Sequence, residues 1–120
     1  MINFILSNER QAIPEQQKNM IWLYLIEFEY DGIVYYKFGG TMRLYERIAE
    51  LKRELQAQYI KIKRVIMPNG ENNEKDIHHK LKKNNLNVKI NIGGRNKREI
   101  YIKCKETLAI YEEIRGVKIM

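Results

Sequence analysis

The sequence predicts a small α/β domain of the α+β type, in which helices flank a central, largely antiparallel β-sheet. Three observations carry that expectation. Ile21 to Phe28 and Ile33 to Phe38 are dense apolar and aromatic runs joined by Tyr30-Asp31-Gly32, the composition of a β-hairpin. Just after it, Leu44, Ile48, Leu51 and Leu55 recur at the spacing of an amphipathic helix. Ile60 to Met67 then alternates Ile with Lys, as a half-buried strand does.

Taken in order, residues 1–20 are polar and weakly patterned around Pro14, and read as an appendage or a short helix. In the hairpin, Tyr24 and Tyr36 are expected to share a face, since cross-strand partners approach within about 5 Å. Gly39-Gly40 ends the second strand, and Thr41 offers an N-cap for a helix over 41–57. Arg43 and Arg47 lie one turn apart on that helix, with Arg47 near its start and facing the hairpin's end. Pro68-Asn69-Gly70 closes the Ile/Lys strand. Asn72 or Asn73 can cap a second helix over 72–84, with Ile77 and Leu81 as its apolar pair. Glu71, Glu74 and Asp76 suit its positive end, and Glu74 and His78 share one face. Val88 to Ile92 and Glu99 to Lys103 read as two strands around a flexible basic loop, Gly93-Gly94-Arg95-Asn96. A last helix over 105–114 places Leu108, Tyr111 and Ile114 at core spacing. At 120 residues there is room for one compact domain, 21–120, behind the 1–20 appendage. Large multi-domain enzymes are excluded.

Composition narrows the function. Hydrophobic residues make up 44% and charged ones 31%, a globular balance rather than that of a disordered chain. The formal charge of +7 favours polyanionic partners. It is unevenly placed: Lys80 to Lys105 holds nine basic residues and one acidic one, net +8, leaving −1 for the rest. Lys80, Lys82, Lys83, Arg95, Lys97 and Arg98, around bare glycines, suit contact with a phosphate backbone. The lone cysteine, Cys104, rules out an internal disulfide and a thiolate-cluster metal site, and fits a reduced intracellular setting. No stretch has the basic start of a signal peptide or the length of a membrane helix, so a soluble, unprocessed chain with no membrane partner is expected.

Read separately, strand tyrosines, helix arginines and a Glu-Lys-Asp-Ile-His helix are ordinary structural features. Their order is more specific. Trp22-Leu23-Tyr24, then Tyr36-Lys37-Phe38-Gly39-Gly40-Thr41, Leu44-Tyr45-Glu46-Arg47, Glu74-Lys75-Asp76-Ile77-His78 and Arg98-Glu99-Ile100-Tyr101 follow one another along most of the chain. In this the sequence resembles the GIY-YIG endonuclease superfamily, most of all its phage and large-DNA-virus branch. Three positions depart from the pattern: Trp22 replaces the first glycine, Phe38 replaces the central isoleucine of the second motif, and Gly40 stands where many relatives carry a basic residue.

The resemblance implies a GIY-YIG-like fold and metal-assisted hydrolysis of a DNA phosphodiester. Glu74 would hold Mg²⁺ or Mn²⁺, which needs only one carboxylate because water and phosphate complete its shell. Arg47 would neutralise charge building at phosphorus. Tyr24 would take the proton from the attacking water, Tyr36 would orient water or phosphate, and His78 would support proton transfer. His79, about 100° away around the helix, would be solvated, which argues against zinc bound by Glu74, His78 and His79. A viral or phage protein acting in the host cytoplasm or nucleus is implied, with specificity low or supplied by a homodimer or partner chain. The residues leave two alternatives open: a catalytically inactive nucleic-acid-binding module on the same fold, and an interaction protein whose basic face meets an acidic partner.

Overall fold

The computed structural model describes residues 2–6, 9–17, 19–69 and 73–120, with side chains from Pro14 onward. Among the described residues before Ile21 there is no helix: β1 (Ile2–Leu6) and β2 (Glu9–Ile13) pair antiparallel in a two-stranded sheet of their own. Pro14 to Met20 then fastens this segment to the main body. Gln16 reaches across with its whole amide, donating to the Met20 and Thr41 carbonyls at 2.6 and 3.0 Å and accepting from the Leu44 N–H at 2.8 Å.

β3 (Trp22–Tyr30) and β4 (Ile33–Thr41) form the expected hairpin, each longer than its apolar run. Asp31 and Gly32 both have positive φ, 51° and 80°, the geometry of the two-residue turn whose twist matches paired strands. Such a turn pairs Tyr30 with Ile33, and therefore Tyr24 with Gly39 and Tyr36 with Glu27. Side chains alternate along a strand, so Tyr24 and Tyr36 lie on opposite faces of the sheet, against the expectation that they share one.

α1 (Leu44–Glu54) begins later than expected. Thr41 stays in β4 and its hydroxyl accepts from the Arg43 N–H; the Leu44 N–H, which has no acceptor within the helix, is capped by Gln16, a residue distant in sequence. β5 (Ile60–Pro68), α2 (Asn73–Lys83), β6 (Ile90–Ile92), β7 (Arg95–Lys97), β8 (Ile100–Ile102), α3 (Lys105–Tyr111) and β9 (Gly116–Lys118) complete the chain. The position before α2 where Asn72 could cap it, and Glu71 beside it, lie outside the described residues. The basic loop after β6 is not a loose connection between two sheet strands: β6 and β7 form a small hairpin of their own, turning at Gly93-Gly94.

The main sheet has the order β8-β4-β3-β5-β9, with every neighbouring pair antiparallel. On one face Trp22, Tyr24, Ile26 and Phe28 pack against Leu44, Ile48 and Leu51 of α1. On the other, Leu23, Leu25 and Phe38 pack against Ile77 and Leu81 of α2 and Ile110 and Tyr111 of α3. Each such side chain, taken from water, stabilises the fold by about 1.5–3 kcal/mol. The Ile and Leu stripes are thus what dock the three helices, and docking carries Arg47, Glu74 and His78 with them. Among the described residues, no helix is long and apolar enough to cross a membrane.

Candidate active site

β8 is short and pairs with β4 only at Tyr35, Tyr36 and Lys37. One further bond, from the Phe38 N–H to the Glu99 carbonyl, follows; beyond it the strand presents an edge, and its next two residues are glycines. Tyr24, from one face, lays its hydroxyl where a Cβ on Gly39 would stand, at 2.6 Å. Glu74, from α2 on the other face, brings Oε2 to 2.9 Å from where a Cβ on Gly40 would stand. Real Cβ atoms do not tolerate such distances, so the glycine pair is what lets groups from both faces approach one strand edge.

On the α1 side, Arg47 is half-buried and held by Glu50 at 3.3 Å and Glu54 at 3.3 Å. It also hydrogen-bonds the Tyr24 hydroxyl. Burial pulls the guanidinium down, but Tyr24, Glu54 and Glu50 outweigh it and hold its charge more firmly than usual. Burial pushes the Tyr24 phenol up to about 12, an effect that Arg47 only partly offsets and that Glu99 and Glu74 reinforce. The phenol therefore keeps its proton at neutral pH.

On the α2 side, His78 gives Nδ1 to a hydrogen bond with the buried Tyr101 hydroxyl, whose own ionisation burial strongly disfavours. The ring also lies against Phe38, with centroids 4.2 Å apart. Nε2 is buried and unpaired, 3.6 Å from Glu74 Oε1 and 3.7 Å from Glu99 Oε1, both beyond normal hydrogen-bond reach. Trp22 Nε1 is the other such atom among the described residues, but it sits inside the α1 core. Glu74, His78 and Glu99 offer three donor atoms within 4.8 Å of one another. A six-coordinate cation with bonds of about 2.1 Å spaces its donors about 3–4 Å apart, so this set fits one ion after small adjustments.

Glu99 and Lys37 belong to this site, although no role follows for either from the sequence. Glu99 lies on the β7–β8 connection with φ +63°, a left-handed conformation that costs a non-glycine residue about 1–2 kcal/mol. Its carbonyl accepts from the Phe38 N–H. Lys37 is on the Tyr24 face, since it pairs with Ile26. Burial pulls its ammonium below the usual lysine range, and Glu99 restores only part. The sequence does hold a signal for Glu99: it is the single acid within the basic stretch from Lys80 to Lys105.

Of the residues singled out from sequence, Tyr24, Arg47, Glu74 and His78 are brought together here. Tyr36 is not; it shares the α2 face with Glu74 and His78 but lies further along β4 towards the hairpin turn, beside Glu27, Lys103 and Arg64. His79 is exposed. Of the basic residues, Lys97 and Arg98 line two clefts that meet at Glu99, one bordered by Arg47 and Lys37, the other by Lys82 and Tyr101. Lys80 is instead paired with Glu113 of the turn after α3 at 2.6 Å, Lys83 borders a separate depression with Asp76 and His79, and Arg95 is exposed on the small hairpin.

Residues 21–115 match the family model described as the T5orf172 domain. No curated protein and no solved structure matches the chain.

Proposed function

Because the chain belongs to the T5orf172 domain family, a phage-associated family related to GIY-YIG-like nuclease folds, we propose that it is a metal-dependent DNA endonuclease of the GIY-YIG type. The observation that supports this is convergence: a strand tyrosine, an arginine of α1 and a Glu/His pair of α2 surround one glycine-lined strand edge, flanked by basic clefts.

Glu74 would hold Mg²⁺ or Mn²⁺, with Glu99 Oε1 and His78 Nε2 the further donors in reach; the unpaired His78 nitrogen facing two carboxylates is what makes the set fit a cation. Bound there, the ion would polarise a phosphoryl oxygen and acidify the attacking water. Arg47, fixed by two carboxylates and the Tyr24 hydroxyl, neutralises charge on the phosphoryl oxygens as the water oxygen bonds to phosphorus, its proton passing to bulk water, and one ester oxygen departs and takes a proton from solvent. Tyr24 keeps its proton and so orients the water or phosphate by donating a hydrogen bond, the task the resemblance gives to Tyr36, rather than acting as the free base. Tyr101 fixes the His78 ring. Lys82, Lys97 and Arg98 contact the DNA backbone on either side.

The test is cleavage of supercoiled plasmid and branched DNA with Mg²⁺ or Mn²⁺, comparing the wild type with Glu74→Ala and Arg47→Ala. Metal-dependent cutting lost in both variants is expected. DNA binding with no cutting under either metal overturns the nuclease and leaves a nucleic-acid-binding module on this fold.

A further inference from the structure

A lysine inside a protein needs a reason to be there. Lys37 is only 6% exposed, and its ammonium bonds the two residues between β7 and β8. Nζ donates to the Arg98 carbonyl at 3.2 Å and to Glu99 Oε2 at 3.2 Å. One buried cation thus grips both the backbone and the side chain of a turn that holds Glu99 in the left-handed region. The far oxygen of the same carboxylate faces His78 Nε2. Nearly every other charge in that stretch of sequence is positive, so a released Glu99 has basic neighbours, Lys97 and Arg98 among them, to turn towards.

From this geometry we infer that Lys37 is a positioning residue, which holds the strained Arg98-Glu99 turn so that Glu99 stands beside His78 and Glu74. The inference rests on the nuclease reading for its effect on rate, but not for its effect on structure. A lysine suits the task because a compact ammonium fits between a carbonyl and a carboxylate. Its place follows from hairpin register: Lys37 lies two residues along β4 from Gly39, the partner of Tyr24, and hence on the same face.

Lys37→Met keeps the stem and removes the charge and donors. The Phe38 amide, which donates to the Glu99 carbonyl, reports on the turn through hydrogen exchange, and the Val88 amide, bonded to Ile100 beyond it, is the control. In Lys37→Met, Phe38 exchange is expected to quicken by about tenfold or more with Val88 unchanged. The kcat for DNA cleavage is expected to fall about 10–100-fold with KM within about twofold, the signature of misplaced site groups rather than lost binding. Adding Lys37→Met to Glu99→Gln should cost less than about twofold more, because Lys37 acts through the Glu99 carboxylate. Lys37→Arg should restore part of kcat. Wild-type Phe38 exchange in Lys37→Met overturns the inference, as does quickened exchange with unchanged kcat. Should Lys37→Met not fold, Glu99→Asp, which keeps the charge but shortens its reach, should lower kcat in the same way, and wild-type kcat there overturns the inference. A wild type that cuts no DNA sinks the nuclease reading instead, and Lys37 is then judged on the Phe38 amide alone.

Discussion

Two polar clusters sit on the same sheet, and they differ in how their charges are answered. Nearer the hairpin turn, the buried Glu27 carboxylate accepts from the Tyr59 hydroxyl at 2.8 Å and pairs with Lys103 at 2.9 Å. Burial alone would raise its proton affinity, but those two hydrogen bonds together with the charges of Lys103 and Lys63 outweigh it and hold the carboxyl below its ordinary value of 4.5. At the Gly39-Gly40 edge, Glu74 and Glu99, the latter in a strained backbone, instead face a buried imidazole nitrogen that has no hydrogen-bond partner. The first arrangement is complete within the chain and stabilises it. The second leaves capacity for something outside the chain, which is how a binding site differs from a structural ion pair.

The largest test of that contrast is on rate. Glu74→Ala and Arg47→Ala should each lower DNA cleavage by about 10²–10³-fold. Glu74→Ala should shift the melting temperature by no more than about 3 °C, since its carboxylate satisfies no buried donor. Strong melting loss in Glu74→Ala would make the second cluster structural like the first.

The tyrosine pair sharpens the comparison. Tyr24→Phe should cost about 10–100-fold in cleavage, by removing the hydroxyl that Arg47 holds, while Tyr36→Phe stays within about twofold. Equal losses would mean that the Tyr36 end of β4 takes part. For the basic residues, Lys97→Ala with Arg98→Ala should weaken DNA binding about tenfold and lower its log-log salt slope by about 2, whereas Lys80→Ala, which loses a partner already answered by Glu113, should leave the slope nearly unchanged. Titrating binding at several salt concentrations decides this.

The smallest effect lies in the first cluster. Glu27→Gln should cost about 1 kcal/mol in urea unfolding at neutral pH and leave cleavage intact. Because the folded carboxyl lies below the unfolded one, its contribution is present above pH 4.5 and is lost as pH falls through the folded value. The variant should therefore lose less stability than the wild type on acidification, and an identical acid profile would show that Glu27 contributes nothing.

Local pattern made much of this legible. The Asp31-Gly32 turn, the Leu44 to Leu55 stripe and the Ile77/Leu81 pair name their elements because turn chemistry and periodicity act over a few residues. What escaped depends on distant partners. β9 is three exposed residues whose pairing is all that defines them, and the cap of α1 comes from Gln16 rather than the adjacent Thr41. β1 and β2 carry little pattern because they face each other in a separate two-stranded sheet. Even the face of Tyr36 was available in principle, since a two-residue turn sets the parity of every pair in the hairpin.

The sequence by itself determined which chemical groups exist, in which order, and that basic charge gathers between Lys80 and Lys105 around one glutamate. It also determined that helices follow the hairpin with Arg47, Glu74 and His78 near apolar stripes that must be buried. Only the tertiary structure decided that Tyr24 and Lys37 join that set while Tyr36 does not, and that Glu99 arrives from a later turn to meet His78. The reason is physical: burial acts on each element separately and fixes which side faces inward, whereas a site is made by the crossing of elements, where register, bare glycines and one buried ammonium settle which side chains come within reach.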